Sequence, residues 1–156
     1  LTKINYMSLT EKINEDIKKA MLAREKDKLE ALRAVKSALL LEMTSEGGGG
    51  EISVETEIKI LQKLVKQRRE TAGIYTEQNR ADLAATETFQ ADIISVYLPS
   101  QMTADELKPI IQNIITETGA NSIKDMGKVM AAAAGKLAGK ADNKTISQII
   151  KELLGN

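Results

Sequence analysis

GANSIKDMGKVMAAAAGKLAGKADNKTISQIIKELL, residues Gly119–Leu154, is the stretch that decides the fold. It reads as two short helices joined by a glycine- and lysine-rich connection. The first is built from small side chains, Ala131 to Ala134, with Met126, Val129 and Met130, and Gly127 and Gly135 lie beside them. Glycine inside a helix costs about 1 kcal/mol relative to alanine, so two of them call for a reason such as close approach of another backbone. Gly135, Lys136, Gly139, Lys140, Ala141, Asp142 and Asn143 are expected to break the periodicity. Asp142 is a good N-cap for a last helix whose apolar face is Ile146, Ile149, Ile150, Leu153 and Leu154. From Ala120 onward six lysines (124, 128, 136, 140, 144, 151) meet three acids (Asp125, Asp142, Glu152). This local excess of positive charge sits on a chain of zero formal net charge.

Upstream of it, Thr103-Ala-Asp-Glu106 has the spacing of a capping box, and Leu107, Ile110, Ile111, Ile114 and Ile115 line the helix that follows. Pro109 lies inside that helix and allows a local kink, and Gly119 stops it. Leu98-Pro99 ends the preceding segment, because the residue before proline avoids the α region. Upstream, Ser8 to Glu11 is another capping box, opening a stripe of Leu9, Ile13, Ile17 and Met21. After a polar break with Asp27 as N-cap, Leu29, Leu32, Val35, Leu39 and Met43 recur at helical spacing. Gly47 to Gly50 reads as a flexible loop. Ser53 caps a long third helix with Ile58, Leu61, Leu64, Val65 and Ala72 on its inner face. A fourth opens at Arg80 and runs to about Tyr97, with Phe89, Ile93, Ile94, Val96 and Tyr97 expected to dock into a core.

The expected fold is therefore all-α. Residues 7–97 form elongated helical hairpins of about four helices, and residues 98–156 a compact three-helix module. Residues 1–6, ahead of Met7, read as a leader or a cloning remnant.

Composition narrows the chemistry. The chain has 156 residues, no Cys, no His, no Trp and one Phe. Disulfides, thiolate sites and the commonest general base and metal ligand are excluded together. Neither Gly50 nor Gly135-Lys136 opens a phosphate-binding loop, since the Gly-Lys-Ser/Thr ending is missing at both. The carboxylate pairs Glu15-Asp16, Glu55 with Glu57, and Asp105-Glu106 fall at helix starts or on polar faces, where they complement the helix dipole. No catalytic residue, metal or cofactor is expected. No apolar run approaches the roughly 18 residues that span a bilayer, and a cytoplasmic protein without membrane contact is the default.

The basic C-terminal head is the remaining candidate for function. Lys128, Lys136, Lys140 and Lys144 are expected to meet phosphates, while Gly127, Gly135 and Gly139 permit close approach. Lys66, Arg68 and Arg69 on the third helix form a secondary basic stripe, for which a solvated face with i,i+4 pairing is the plainer account. Aromatics for stacking bases are scarce, which points to structured RNA read by shape rather than to DNA or single strands.

KDKLEALRAVKSAL at 26–39, LVKQRRE at 64–70, RADL at 80–83, YLPSQMTADEL at 97–107 and DMGKVM with GKADNKTISQIIKELL between 125 and 154 resemble the GatB/YqeY family, in order and over nearly the whole chain from Met7. The chain looks like a free-standing member similar to the tail of the GatB subunit of the tRNA-dependent amidotransferase. The resemblance implies an all-α two-part fold and a tRNA-associated, non-catalytic role. Its further implications are an accessory part in a carbon–nitrogen ligase that uses glutamine as amido-N-donor, and amidotransferase subunits or another translation-related protein as partners. A protein-interaction scaffold, with the alanine-rich helix 125–138 receiving a partner helix, is a separate reading of the same residues. Relatives commonly show Arg and Gly where this chain has Lys140 and Asn143. Lys140 keeps the charge without the planar fork, and Asn143 tolerates the left-handed conformation that glycine supplies.

Overall fold

Side-chain oxygens start four of the helices. Ser8 and Thr103 each accept a hydrogen bond from the backbone N–H three residues on, and the returning Glu11 and Glu106 complete both capping boxes. Ser53 accepts from the N–H of Thr56, and Asp142 from the N–H of Thr145 at 2.7 Å. Each such cap satisfies an orphan amide and is worth about 1 kcal/mol. The computed structural model describes residues 7–45 and 50–155, so the reading of residues 1–6 and most of the glycine tract lie outside the described residues.

Seven α-helices form among the described residues, with no strand: α1 (Leu9–Ala23), α2 (Lys26–Thr44), α3 (Val54–Glu77), α4 (Ala81–Ser95), α5 (Ala104–Thr118), α6 (Met126–Lys136) and α7 (Asn143–Leu154). A 3-10 turn, Ile123–Asp125, leads into α6. The all-α class is as the periodicity predicts. The chain divides after Leu98 into two compact units.

In the first unit α3 packs most extensively on α4, α1 on α2, and α2 on α4. Ile13, Leu32, Val35, Leu39, Leu61 and Ile94 form its aliphatic centre. The α1 stripe departs from the expected one. Met21 is 54% exposed, and Ala20 is buried in its place. Steps of four residues drift about 40° each around a helix of 3.6 residues per turn, whereas the seven residues from Ile13 to Ala20 nearly close two turns. Asp27 is not the N-cap of α2. Glu25 holds that position without a side-chain bond, because Arg24 in the left-handed region (φ 57°) turns the chain back within two residues. Ile58, Leu64 and Val65 are half-buried, leaving Leu61 and Ala72 as the buried residues of α3.

Phe89 and Val96 do not dock. They are 44% and 76% exposed, since the inner face of α4 is Ala84, Gln90, Ala91 and Ile94. Alanines there let α3 and α4 approach. Gln90, only 5% exposed, accepts from Arg68 Nε at 3.1 Å, and Arg69 reaches Asp92 at 3.0 Å. Tyr97 donates its hydroxyl proton to Asp16 of α1.

The second unit buries one face of each of its three helices. Leu107, Ile111 and Ile114 of α5 meet Val129 and Ala133 of α6 and Ile146, Ile149 and Ile150 of α7. α5 runs unbroken through Pro109 and ends at Gly119 with φ 69°, the left-handed C-cap that glycine adopts most easily.

Two outcomes test this packing. Leu107→Ala and Leu32→Ala should each destabilise by about 2–5 kcal/mol, read from denaturant midpoints, because both side chains are fully buried. Burial, then the bond to Asp16, raises the pKa of Tyr97 above that of a free phenol. Its stabilising contribution is therefore complete below about pH 10 and is lost as pH rises beyond that. Tyr97→Phe should be the less stable protein at pH 7, and the gap to the parent should narrow above about pH 10 in unfolding curves taken across pH.

Candidate nucleic-acid interface

The basic residues of the second unit come from three local structures. Lys128 and Lys136 project from α6, Lys140 from the α6–α7 connection, and Lys144 from the first turn of α7. All four side chains are exposed. Lys136 is paired with Glu117 of α5 at 2.8 Å. Both partners of that pair face solvent, so it holds little energy and yields readily to a stronger anion. Lys128, Lys140 and Lys144 make no ion pair among the described residues. Lys144 lies at the positive end of the α7 dipole, in a first turn that contains no acidic residue. The Asp142 carboxylate that caps α7 supplies an anion at the same end.

The glycines divide into two kinds. Gly127 and Gly135 lie exposed on α6, and a Cβ added at either meets nothing within 4 Å. No packing inside the chain requires glycine at these positions. Gly139 is buried and has φ 74°, so its need is conformational. Its carbonyl accepts from Gln101 Nε2 at 2.7 Å, and the next carbonyl, of Lys140, accepts from the N–H of Met102 at 2.8 Å. Gln101 Nε2 also bonds the Pro99 carbonyl at 2.8 Å. The segment before α5 thus holds the loop that carries Lys140. Asn143 does not take the left-handed role. It begins α7, and the only positive-φ residues other than glycine are Arg24 and Asn79 among the described residues. The left-handed turn is made four residues earlier, at Gly139.

The secondary stripe lies in the first unit, and each of its side chains has a partner there. Lys66 pairs with Glu70 at 3.9 Å, Arg69 with Asp92, and Arg68 bonds Gln90 and the Leu64 carbonyl. Arg68 is a link between α3 and α4, and the other two hold carboxylate partners. Gln101 is the residue that sequence reading missed. A glutamine two positions after a proline gives no sign that it will bridge to a loop 38 residues away. Among the described residues no group of three His, Cys, Asp or Glu side chains is placed to hold a metal ion.

Comparison with known proteins bears on identity and on compartment. The family model for YqeY-like proteins matches residues 10–154. The mitochondrial protein "Altered inheritance of mitochondria protein 41" of Clavispora lusitaniae is 31% identical over 118 residues, covering 74% of this chain and 68% of that protein. Its namesake in Meyerozyma guilliermondii is 28% identical over 142 residues, covering 87% and 74%. That of Saccharomyces cerevisiae is 27% identical over 127 residues, covering 76% and 67%. These names overturn the cytoplasmic expectation, since each relative is named as mitochondrial. The expectation rested on the lack of a membrane-spanning run, which carries no address. With the match extending over almost its entire length, the chain belongs to the YqeY-like family.

Proposed function

We propose that the chain is a non-catalytic helical module that binds tRNA through the basic face of its second unit. The observation that carries this reading is the pair of exposed glycines on α6. Gly127 and Gly135 weaken the helix, serve no internal contact, and are flanked by Lys128 and Lys136. An external backbone can approach most closely where a side chain is missing, and adjacent lysines supply the countercharge to its phosphates. Lys140, on its anchored loop, and Lys144, at the start of α7, extend the same positive character. The resemblance to the amidotransferase tail supports tRNA as the structured RNA concerned. The names of the yeast relatives speak of mitochondrial inheritance, so the RNA reading rests on the surface and on that resemblance.

A second reading uses the same face. Ala131 and Ala134 are exposed beside the two glycines, and this small-residue surface suits a partner helix. A protein complex that survives nuclease treatment and is lost in Ala134→Arg would favour it.

Binding to total tRNA should be saturable, and log affinity should fall linearly with log salt. Lys128→Ala and Lys140→Ala should each weaken binding and lower the slope by about one. Gly135→Leu should also weaken binding, yet raise the melting temperature, because leucine favours the helix by up to about 1 kcal/mol over glycine. Unchanged affinity and slope in all three variants would remove this face from consideration.

A further inference from the structure

The turn between α1 and α2 presents a surface outside the residues proposed for RNA binding. α1 closes on Lys18-Lys19-Ala20-Met21-Leu22-Ala23, and the chain reverses through Arg24 and Glu25. Ala20 faces the core, whereas Met21 is 54% and Leu22 86% exposed. Two large apolar side chains therefore stand uncovered on the last helical turn, beside a tight reversal. Single exposed leucines are ordinary on protein surfaces, but here charge accompanies them. Residues 18–28 hold Lys18, Lys19, Arg24, Lys26 and Lys28 against Glu25 and Asp27. Lys19 is paired with Glu15 and Lys28 with Glu25. Lys18, Arg24 and Lys26 have no ion pair among the described residues. Asp27 lies in the first turn of α2, where it complements the helix dipole.

Arg24 adds a separate observation. Its φ of 57° puts a long side chain in the left-handed region, which glycine or asparagine occupies at less cost. A cation is thus held at the tip in a backbone conformation that does not favour it.

The occupant must complement both protruding apolar side chains and positive charge. A phosphate backbone answers the charge and offers Met21 and Leu22 nothing. An anionic lipid surface supplies a yielding apolar layer beneath negative headgroups. We propose that the α1–α2 turn is a contact for anionic membrane surfaces, with Leu22 and Met21 entering the headgroup layer and Lys18, Arg24 and Lys26 facing the lipid charges. Two apolar side chains and three free cations make a weak, reversible and salt-sensitive attachment. No helix among the described residues is long and apolar enough to cross a membrane, and attachment to a surface needs none. The expectation of no membrane contact rested on the lack of a spanning run alone.

The test is co-sedimentation of the full chain with vesicles of phosphatidylcholine alone and of phosphatidylcholine mixed with phosphatidylserine. Binding should be confined to the anionic vesicles and fall with salt. Leu22→Glu should reduce partitioning about tenfold or more, given the transfer energy of a leucine side chain. Lys18→Ala and Lys26→Ala should each reduce it about fivefold. Melting temperatures should stay unchanged, since all three side chains are exposed. Absence of binding to anionic vesicles at low salt would overturn the proposal. Equal binding to both vesicle types, or full binding by Leu22→Glu, would do the same. Tip variants that weaken tRNA binding and spare vesicle binding would make the turn a nucleic-acid contact and also overturn it.

Discussion

Burial of aliphatic stripes is the interaction on which this structure depends. The chain has no cysteine to cross-link it and one phenylalanine, which lies outside the core. Each unit must then be stabilised by removing Ile, Leu, Val and Ala surface from water, at about 25 cal/mol per Å². That requirement explains the division of labour along the sequence. Where branched aliphatics recur at helical spacing, as in α5 and α7, three helices close around them. Where alanines stand on the inner face, as at Ala84 and Ala91 of α4, the helices are close enough for polar side chains to bridge them. The Arg68–Gln90 link is of this second kind. It leaves no buried side-chain polar atom without a partner among the described residues.

How much of this was legible depends on the range of each interaction. Caps are local, and the residues at Ser8, Ser53, Thr103 and Asp142 announce the helix starts because donor and acceptor are three residues apart. The stop at Gly119 is local in the same way. Which face of a helix is buried is not local. Phe89 and Val96 look like core residues by chemistry, and only the packing of α3 on α4 shows that their side faces outward. Met21 lost its place to Ala20 because the drift of about 40° per four-residue step accumulates along the stripe. The lysines of the candidate interface were legible as charge. Their partners were not, since the Lys136–Glu117 pair joins residues 19 apart and the Gln101–Gly139 bond joins residues 38 apart.

Charge follows the same separation of roles. Several cations of the first unit are occupied by carboxylates on the same or the adjacent helix, among them Lys12 with Asp16, Lys66 with Glu70 and Arg69 with Asp92. In the second unit Lys136 alone is paired, among the described residues. Equal totals of basic and acidic residues therefore conceal an uneven surface. A chain of zero net charge can still present a face that attracts anions, because screening confines each charge to about 10 Å of influence at ordinary ionic strength.

The hold on the α6–α7 loop has an evolutionary consequence. Gly139 and Lys140 are anchored through their main-chain carbonyls, by Gln101 and by the amide of Met102. The loop's conformation thus depends on the glycine and on Gln101, and not on the identity of the side chain at 140. Mutation can exchange that side chain freely while the scaffold persists. Loop conformation and the side chain at 140 are inherited through different atoms here, so lineages can vary that side chain without first having to survive a loss of stability.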